Sequence, residues 1–560
     1  MDPEKLDSSV QILQENKERW AKLPVTQKCN LIDKLIKGVL DVADRQVARA
    51  LEAKGVAPNS IESAEEWLSG PFIVLRNLRL LRQNLEQITR FGVPKIKPEK
   101  IHIRSNGQVV VDVFPGSLFD KILYPGFRAE VRIQPEVHPH ELRQAMASFY
   151  RKSQPQGKVT LILGAGNVSS IGPLDVVYKL FVEGQVCLLK LNPVNDYLVP
   201  FIEEAFASLI QEGFLRLAYG GADVGSYLCE HSGIDEIHIT GSALTHDAIV
   251  FGSGEEGADR KPKNMPRIKK RITSELGNVS PVIIVSVEWS NKDLKFQAEN
   301  IATQLTNNTG FNCNAAKVLI THSNWAQRDV FLNTLRETLR HVSPRRAYYP
   351  GSLNHYARFI DAYPDAEVFG PKSKEIIPWT LIPNIDPKRQ SDICFTQEAF
   401  CGIIAETPLQ ASDAADFLHK AVEFCNNTLW GTLNACIIVH PQTEASLGSL
   451  LDQAISDLHY GSVGINHWPA LSYALGSTTW GAYPGHTLND IQSGIGVVHN
   501  TFMFDKPQKS VIYGPFRIWP KPPWYVTHKT ANKLAPILTQ FEARPCWSLL
   551  PSIIWHALQG

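Results

Sequence analysis

Neither sign of charge is in excess: Lys and Arg together number 56, and so do Asp and Glu, for a formal net charge of zero. A protein that binds nucleic acid by overall electrostatics needs surplus cations, so no nucleic acid is expected as a partner. No window approaches the ~18 uninterrupted apolar residues of a transmembrane segment. The opening Met1-Asp2-Pro3-Glu4-Lys5 carries no apolar stretch of a secretory leader. The nine cysteines form no C-x-x-C pair and are scattered over 560 residues, which argues against both the usual zinc spacing and a dense disulfide scaffold. No metal site is expected, and the His138-Pro139-His140-Glu141 run reads as an exposed turn. What remains is a chain with 44% hydrophobic and 20% charged residues, enough apolar material for a large core. The expectation is a reducing, cytoplasmic protein of two to four structural units at ~100–200 residues each.

Residues 1 to about 90 read as helices, with apolar positions three or four apart in Leu31, Ile32, Leu35, Ile36, Val39 and again in Ile73 to Leu81. The runs at 101–104 and 109–113 flank Ser105-Asn106-Gly107-Gln108, and an Asn-Gly pair between β-rich runs signals a hairpin. From about 158 short apolar runs alternate with helix-like stretches: strand 159–163, helix 173–182, strand 186–191, helix 197–211, a strand near Leu217, helix 223–231, strand 236–240, helix 243–251. These are βαβ units, and the fold class they define is α/β, doubly wound, with ligands at the carboxyl ends of the strands. Residues 252–271, with three Gly, two Pro and the cations Arg260, Lys261, Lys263, Arg267, Lys269, Lys270 and Arg271, read as a surface insertion. A second α/β region follows to about 500. The end is rich in Pro and Trp and finishes in an apolar stretch with helical spacing, 547–558, which reads as a packed or subunit-contact helix; residues 546–560 also leave room for peripheral contact with a membrane.

Four stretches carry chemistry. Gly164-Ala165-Gly166-Asn167 follows a strand, where backbone N–H groups meet an anion or simply make a tight turn. Thr240-Gly241-Ser242 stands at another strand-to-helix junction. Glu275, in Thr273-Ser274-Glu275-Leu276-Gly277-Asn278, precedes the buried run 282–285; a carboxylate there suits a general base, and a surface glutamate is its ordinary counterpart. Cys313 follows a glycine turn, where local N–H dipoles favour the thiolate; the ordinary alternative is a small buried hydrophobe.

The order of these motifs resembles that of the aldehyde dehydrogenase superfamily from about residue 158 to about 500, in a divergent form. The resemblance implies an α/β fold with a doubly wound NAD(P)-binding domain and a second α/β catalytic domain. Its boundaries would be 1–274 for the N-terminal helices and dinucleotide domain, 275–490 for the catalytic domain, and 491–560 for a C-terminal segment that completes the cofactor domain and subunit contacts. It assigns Cys313 as nucleophile, Glu275 as general base and Asn167 as oxyanion donor. Lys190 matches the lysine on the adenosine ribose, Gly241 and Ser242 the pair on the pyrophosphate, and Glu398 and Phe400 the motif on the nicotinamide ribose and ring. The cofactor would be NAD or NADP, because no acidic residue stands just beyond Lys190.

Departures from the family pattern are Gly166 ahead of Asn167, Phe311 near the nucleophile and Asn278 after Gly277. The implied reaction is oxidation of a small-molecule aldehyde to a carboxylic acid through a cysteine thiohemiacetal and thioester. Two rivals are an acyl-CoA reductase or CoA-acylating dehydrogenase on the same fold, and a non-catalytic dinucleotide-binding or structural protein. The resemblance also implies a homodimer or homotetramer, with the hairpin at 101–113 similar in type to oligomerisation strands.

Overall fold

The computed structural model describes residues 2–371 and 373–560. Two sheets organise the chain. In the smaller, five parallel strands run in the spatial order Arg271–Glu275, Glu236–Thr240, Val159–Leu163, Val186–Lys190, Leu215–Ala218. The antiparallel pair Gly494–Ile495 closes the edge beside Arg271–Glu275. From Val159–Leu163 the next two strands in sequence add on one side and the two after them on the other. That reversal makes the sheet doubly wound and opens a crevice at the carboxyl ends of Val159–Leu163 and Glu236–Thr240.

The larger sheet has eleven strands. Seven of them are parallel and central, from Pro507–Tyr513 through Pro281–Val285 to Trp379–Ile382. Helices cover both faces, so Pro281–Val285 is buried at every residue, the pattern a doubly covered parallel strand requires. Antiparallel strands flank this core. At one edge lies Glu367–Phe369; at the other Arg128–Ile133, Val109–Phe114 and Ile101–Ile103 stack in turn on Pro507–Tyr513. The Asn106-Gly107 hairpin therefore forms the rim of its own chain's large sheet, with Gly107 at φ +84° in the turn.

The expected helix over 197–211 is interrupted: a 3₁₀ turn, Pro193–Leu198, leads into Val199–Ala205, and Phe206, whose ring is buried, separates that from Ala207–Gln211. The insertion at 252–271 is not wholly irregular, since it includes the short helix Gly254–Arg260. The helices Val25–Lys54 and Ile73–Phe91 pack against each other and against Ala531–Ala543. Arg76 is buried at the centre of that packing, paired with Asp120 at 3.0 Å and with Glu542 at 2.8 Å. All nine cysteines are free. No helix among the described residues is long and apolar enough to cross a membrane.

Candidate active site

Two strand ends and one loop converge. Glu275 is the last residue of Arg271–Glu275, held between Thr240 and Gly494 in the ladder. Cys313 follows the helix Asn291–Thr306 and a tight loop in which Asn308 and Thr309 both take positive φ, 50° and 63°. For non-glycine residues that conformation is costly and persists only where surrounding contacts impose it. The Cys313 thiol donates to Glu275 Oε1 at 3.3 Å across 38 positions of sequence.

Burial pushes the Glu275 carboxyl up to about 7, against the opposing pull of the Trp480 indole and the Cys313 thiol. Among the described residues neither Trp480 Nε1 nor Glu275 Oε2 completes a hydrogen bond, which leaves the second carboxylate oxygen open to another donor. Burial first, and the Glu275 and Glu398 carboxylates next, push the Cys313 thiol well above its ordinary value. The resting arrangement is a neutral thiol hydrogen-bonded to a buried carboxyl group that titrates near neutral pH. The Cys313 carbonyl accepts from Ser280 and Asn434, whereas its backbone N–H has no partner among the described residues.

Asn167 follows the glycine turn after Val159–Leu163, and its side-chain Nδ2 donates to the carbonyl of Phe311 at 2.9 Å. One of its two amide protons is thus engaged on the nucleophile's own loop, and the other remains. Gly166 has a steric cause: a Cβ there would lie 2.8 Å from the Asn192 side chain, so no larger residue fits. Asn278 is fully buried and donates to the Asn434 carbonyl at 2.8 Å, tying the turn after Glu275 to the large sheet. Phe311 packs at 5.1 Å on Tyr348 and 5.6 Å on Tyr349.

A buried polar network that no sequence motif signalled lies behind this loop. Lys54, the last residue of Val25–Lys54, donates to the Asn167 carbonyl at 3.1 Å and to Asn308 Oδ1 at 3.0 Å, and is paired with the buried Glu66. The Tyr348 hydroxyl reaches the same two oxygens, and Glu65 accepts the Asn308 N–H at 2.8 Å. These bonds impose the left-handed turn and join the Asn167 loop to the Cys313 loop. The only local sign of Lys54 is its place at a helix end before Gly55.

Two cavities meet at Cys313, Glu275 and Asn167, which line both. Lys190, Gly241, Ser242, Glu398 and Phe400 all line one of them, at the crevice of the smaller sheet. Lys190 ends its strand and its Nζ makes no hydrogen bond among the described residues. Ser242 caps the helix Ala243–Phe251 by accepting from the Thr245 N–H at 3.1 Å, which leaves the first N–H groups of that helix facing the crevice as an anion site. Glu398 Oε1 is buried without a partner, and burial pushes its carboxyl up to about 7. Phe400, at φ +42°, packs on Tyr349 at 5.2 Å, a further wall residue the sequence did not single out.

The cations of the insertion are largely spent on partners: Lys261 on Asp247, Arg267 on Glu230, Lys263 on Asp259, Arg271 on Glu183 and Glu236, and Lys270 on the carbonyls of Cys229 and His231.

The fold is matched in known proteins. The model of the aldehyde dehydrogenase family matches residues 129–350. An aldehyde dehydrogenase LUC3 from Fusarium is 27% identical over 184 residues, 33% of this chain and 35% of that protein. A 1-pyrroline-5-carboxylate dehydrogenase from Oceanobacillus iheyensis is 26% identical, over 48% of this chain and 53% of that one. The first of these relatives is matched over about a third of its length. Among solved structures, the substrate-bound state of Staphylococcus aureus AldH superposes with a TM-score of 0.60 at 16% identity, covering 92% of this chain and 95% of that one. An indole-3-acetaldehyde dehydrogenase crystallised with NAD+ gives 0.59 at 15% identity, over 91% and 89%. The chain has the aldehyde dehydrogenase fold, and residues 129–350 match that family's model.

Proposed function

We propose that the chain oxidises an aldehyde to a carboxylic acid through covalent intermediates on Cys313, with NAD or NADP as acceptor. The observation that carries this reading is the Cys313 thiol donating to Glu275 at 3.3 Å where the two cavities join. The crevice cavity suits a dinucleotide. Lys190 Nζ is free for ribose hydroxyls, the N-terminus of Ala243–Phe251 for a pyrophosphate, and the unpartnered Glu398 Oε1 for the second ribose. When bound, the nicotinamide supplies the acceptor for the two electrons an aldehyde loses on becoming an acyl group.

Glu275 takes the proton of the Cys313 thiol, and the sulfur adds to the carbonyl carbon. The free Cys313 N–H and the remaining Asn167 amide proton face the oxyanion that forms; a preorganised donor of this kind contributes ~3–4 kcal/mol. After oxidation the acyl group is a Cys313 thioester, a good acyl donor. Once Glu275 has released the thiol's proton to solvent, it removes a proton from water, the new C–O bond displaces the C–S bond, and that proton passes to the departing sulfur to regenerate the thiol.

Rapid-mixing measurement of NAD(P)H formation tests this. Cys313→Ala is expected to lose at least ~10³-fold in turnover, and Glu275→Gln to lose steady-state turnover while keeping a first burst of reduced cofactor. Undiminished turnover in both variants overturns the scheme.

A further inference from the structure

We propose that the aldehyde this site takes carries a large apolar group, held in the cavity that opens from Cys313 away from the crevice; this rests on the aldehyde-oxidising reading above. That cavity is walled by Leu68, Phe72, Trp468, Leu471, Trp524 and Leu538. All six lie outside the family match at 129–350. The acidic and basic residues in the lining are Glu62, Glu65, Glu275 and Arg345, and Arg345 is paired with Glu65 at 2.5 Å. Arg345 Nε and Nη2 are buried without partners among the described residues, which makes an ω-carboxylate aldehyde the decisive competitor. Three carboxyl groups against one guanidinium leave the lining net negative and disfavour that anion, while each methylene drawn from water onto the apolar wall is worth about fourfold in kcat/KM.

The test compares kcat/KM for propanal, decanal and succinic semialdehyde on the full chain with NAD. A calorimetric titration with 1-decanol, which binds without being an aldehyde, accompanies it. Decanal is expected to exceed both competitors by at least about tenfold. Leu68→Glu is expected to abolish decanol binding and remove that advantage. Preference for propanal or succinic semialdehyde overturns the substrate class and leaves aldehyde oxidation standing. If no aldehyde is oxidised, the underlying reading falls, and stoichiometric decanol binding, lost in Leu68→Glu, still supports an apolar ligand in this cavity; absence of decanol binding overturns it.

A separate surface carries a second inference. On the helices Leu118–Leu123 and Leu550–Leu558 and the turn Trp547–Leu549, Leu118, Trp547 and Trp555 are 58%, 61% and 63% exposed, and Ile554 and Leu558 are exposed beside Trp555. Phe119 packs on Trp547 at 5.0 Å and joins the two elements. Lys121 and Arg544 stand near one end of this face; Lys529 and Lys533 stand near the other, where Thr530 Oγ1 donates to the His556 carbonyl at 2.6 Å. All four are exposed and make no ion pair among the described residues. The single carboxylate side chain of residues 515–560, Glu542, is buried against Arg76 and Arg79.

The geometry points to an anionic lipid surface as the partner of this face. Exposed tryptophans with flanking unpaired cations suit the headgroup layer, whereas a second copy would set like charges against each other. Co-sedimentation of the full chain with phosphatidylcholine vesicles, with and without phosphatidylserine, tests it. Pelleting is expected to need phosphatidylserine, to weaken with salt, and to fall about tenfold in Trp547→Ala/Trp555→Ala. Pelleting indifferent to phosphatidylserine, or none, overturns the inference. So does a dimer in sedimentation velocity that those two substitutions dissociate.

Discussion

The two cavities that meet at Cys313 are built in opposite ways. The crevice side is polar and assembled from short motifs at the ends of neighbouring strands of one sheet: Lys190 ends one strand, Gly241 and Ser242 follow another, and Glu275 ends a third. The far side is apolar and assembled from stretches hundreds of residues apart, Leu68 and Phe72 against Leu471 and Leu538. A polar binding site for a phosphate and ribose needs backbone N–H groups and few side chains at set places, which a turn supplies locally. An apolar wall needs only burial, which any distant residue can provide.

The largest way to break that contrast strikes neither cavity but the network behind their junction. Lys54→Met strands the buried Glu66 and frees the Asn308 turn, so it is expected to cost ~3–5 kcal/mol of stability by denaturant titration. kcat falls with it, while KM values for both substrates move less. Lys190→Ala sharpens the contrast from one side. Loss of a charge-assisted hydrogen bond, ~1.5–3 kcal/mol, raises KM for the dinucleotide about 10–100-fold and leaves the aldehyde KM unchanged.

The pH profile reports the junction itself. Glu275 must be ionised to act, and burial holds its carboxyl at about 7, so kcat/KM is expected to fall about tenfold per unit below that value. The same shift sets the sign of stability. A carboxyl raised in the fold favours folding fully below its ordinary value, and that contribution is lost as pH rises through about 7. Glu275→Gln is therefore expected to raise Tm relative to the parent above pH ~8 and not below pH ~4. The smallest effect concerns the acceptor. Asp196 and Asp223 stand close enough to Lys190 to favour its charged form, and their charge opposes a 2′-phosphate. kcat/KM is expected to favour NAD over NADP by several-fold, read from the two cofactors side by side.

Much of the crevice was legible in the chain. Strand 236–240 with its Thr-Gly-Ser turn and the helix over 243–251 stand where their local pattern predicts, because turn and cap chemistry act over a few residues. The bent helix over 197–211 was not legible, since Phe206 turns inward to packing that the local pattern does not encode. Lys54 was not legible either: its partners Asn167 and Asn308 lie 113 and 254 positions away.

The amino-acid order by itself determined the alternation of strand and helix, the glycine turns and caps at the strand ends, and the chemical kinds present there: a thiol, a carboxylate, an amide and a lysine. Each depends on neighbours within one turn of chain. Only the tertiary structure decided that the thiol and the carboxylate share a hydrogen bond, that burial lifts that carboxyl to about 7, and that an apolar cavity adjoins them. Those properties arise from contacts between segments far apart in sequence, where exclusion of water, not local conformation, sets the energy.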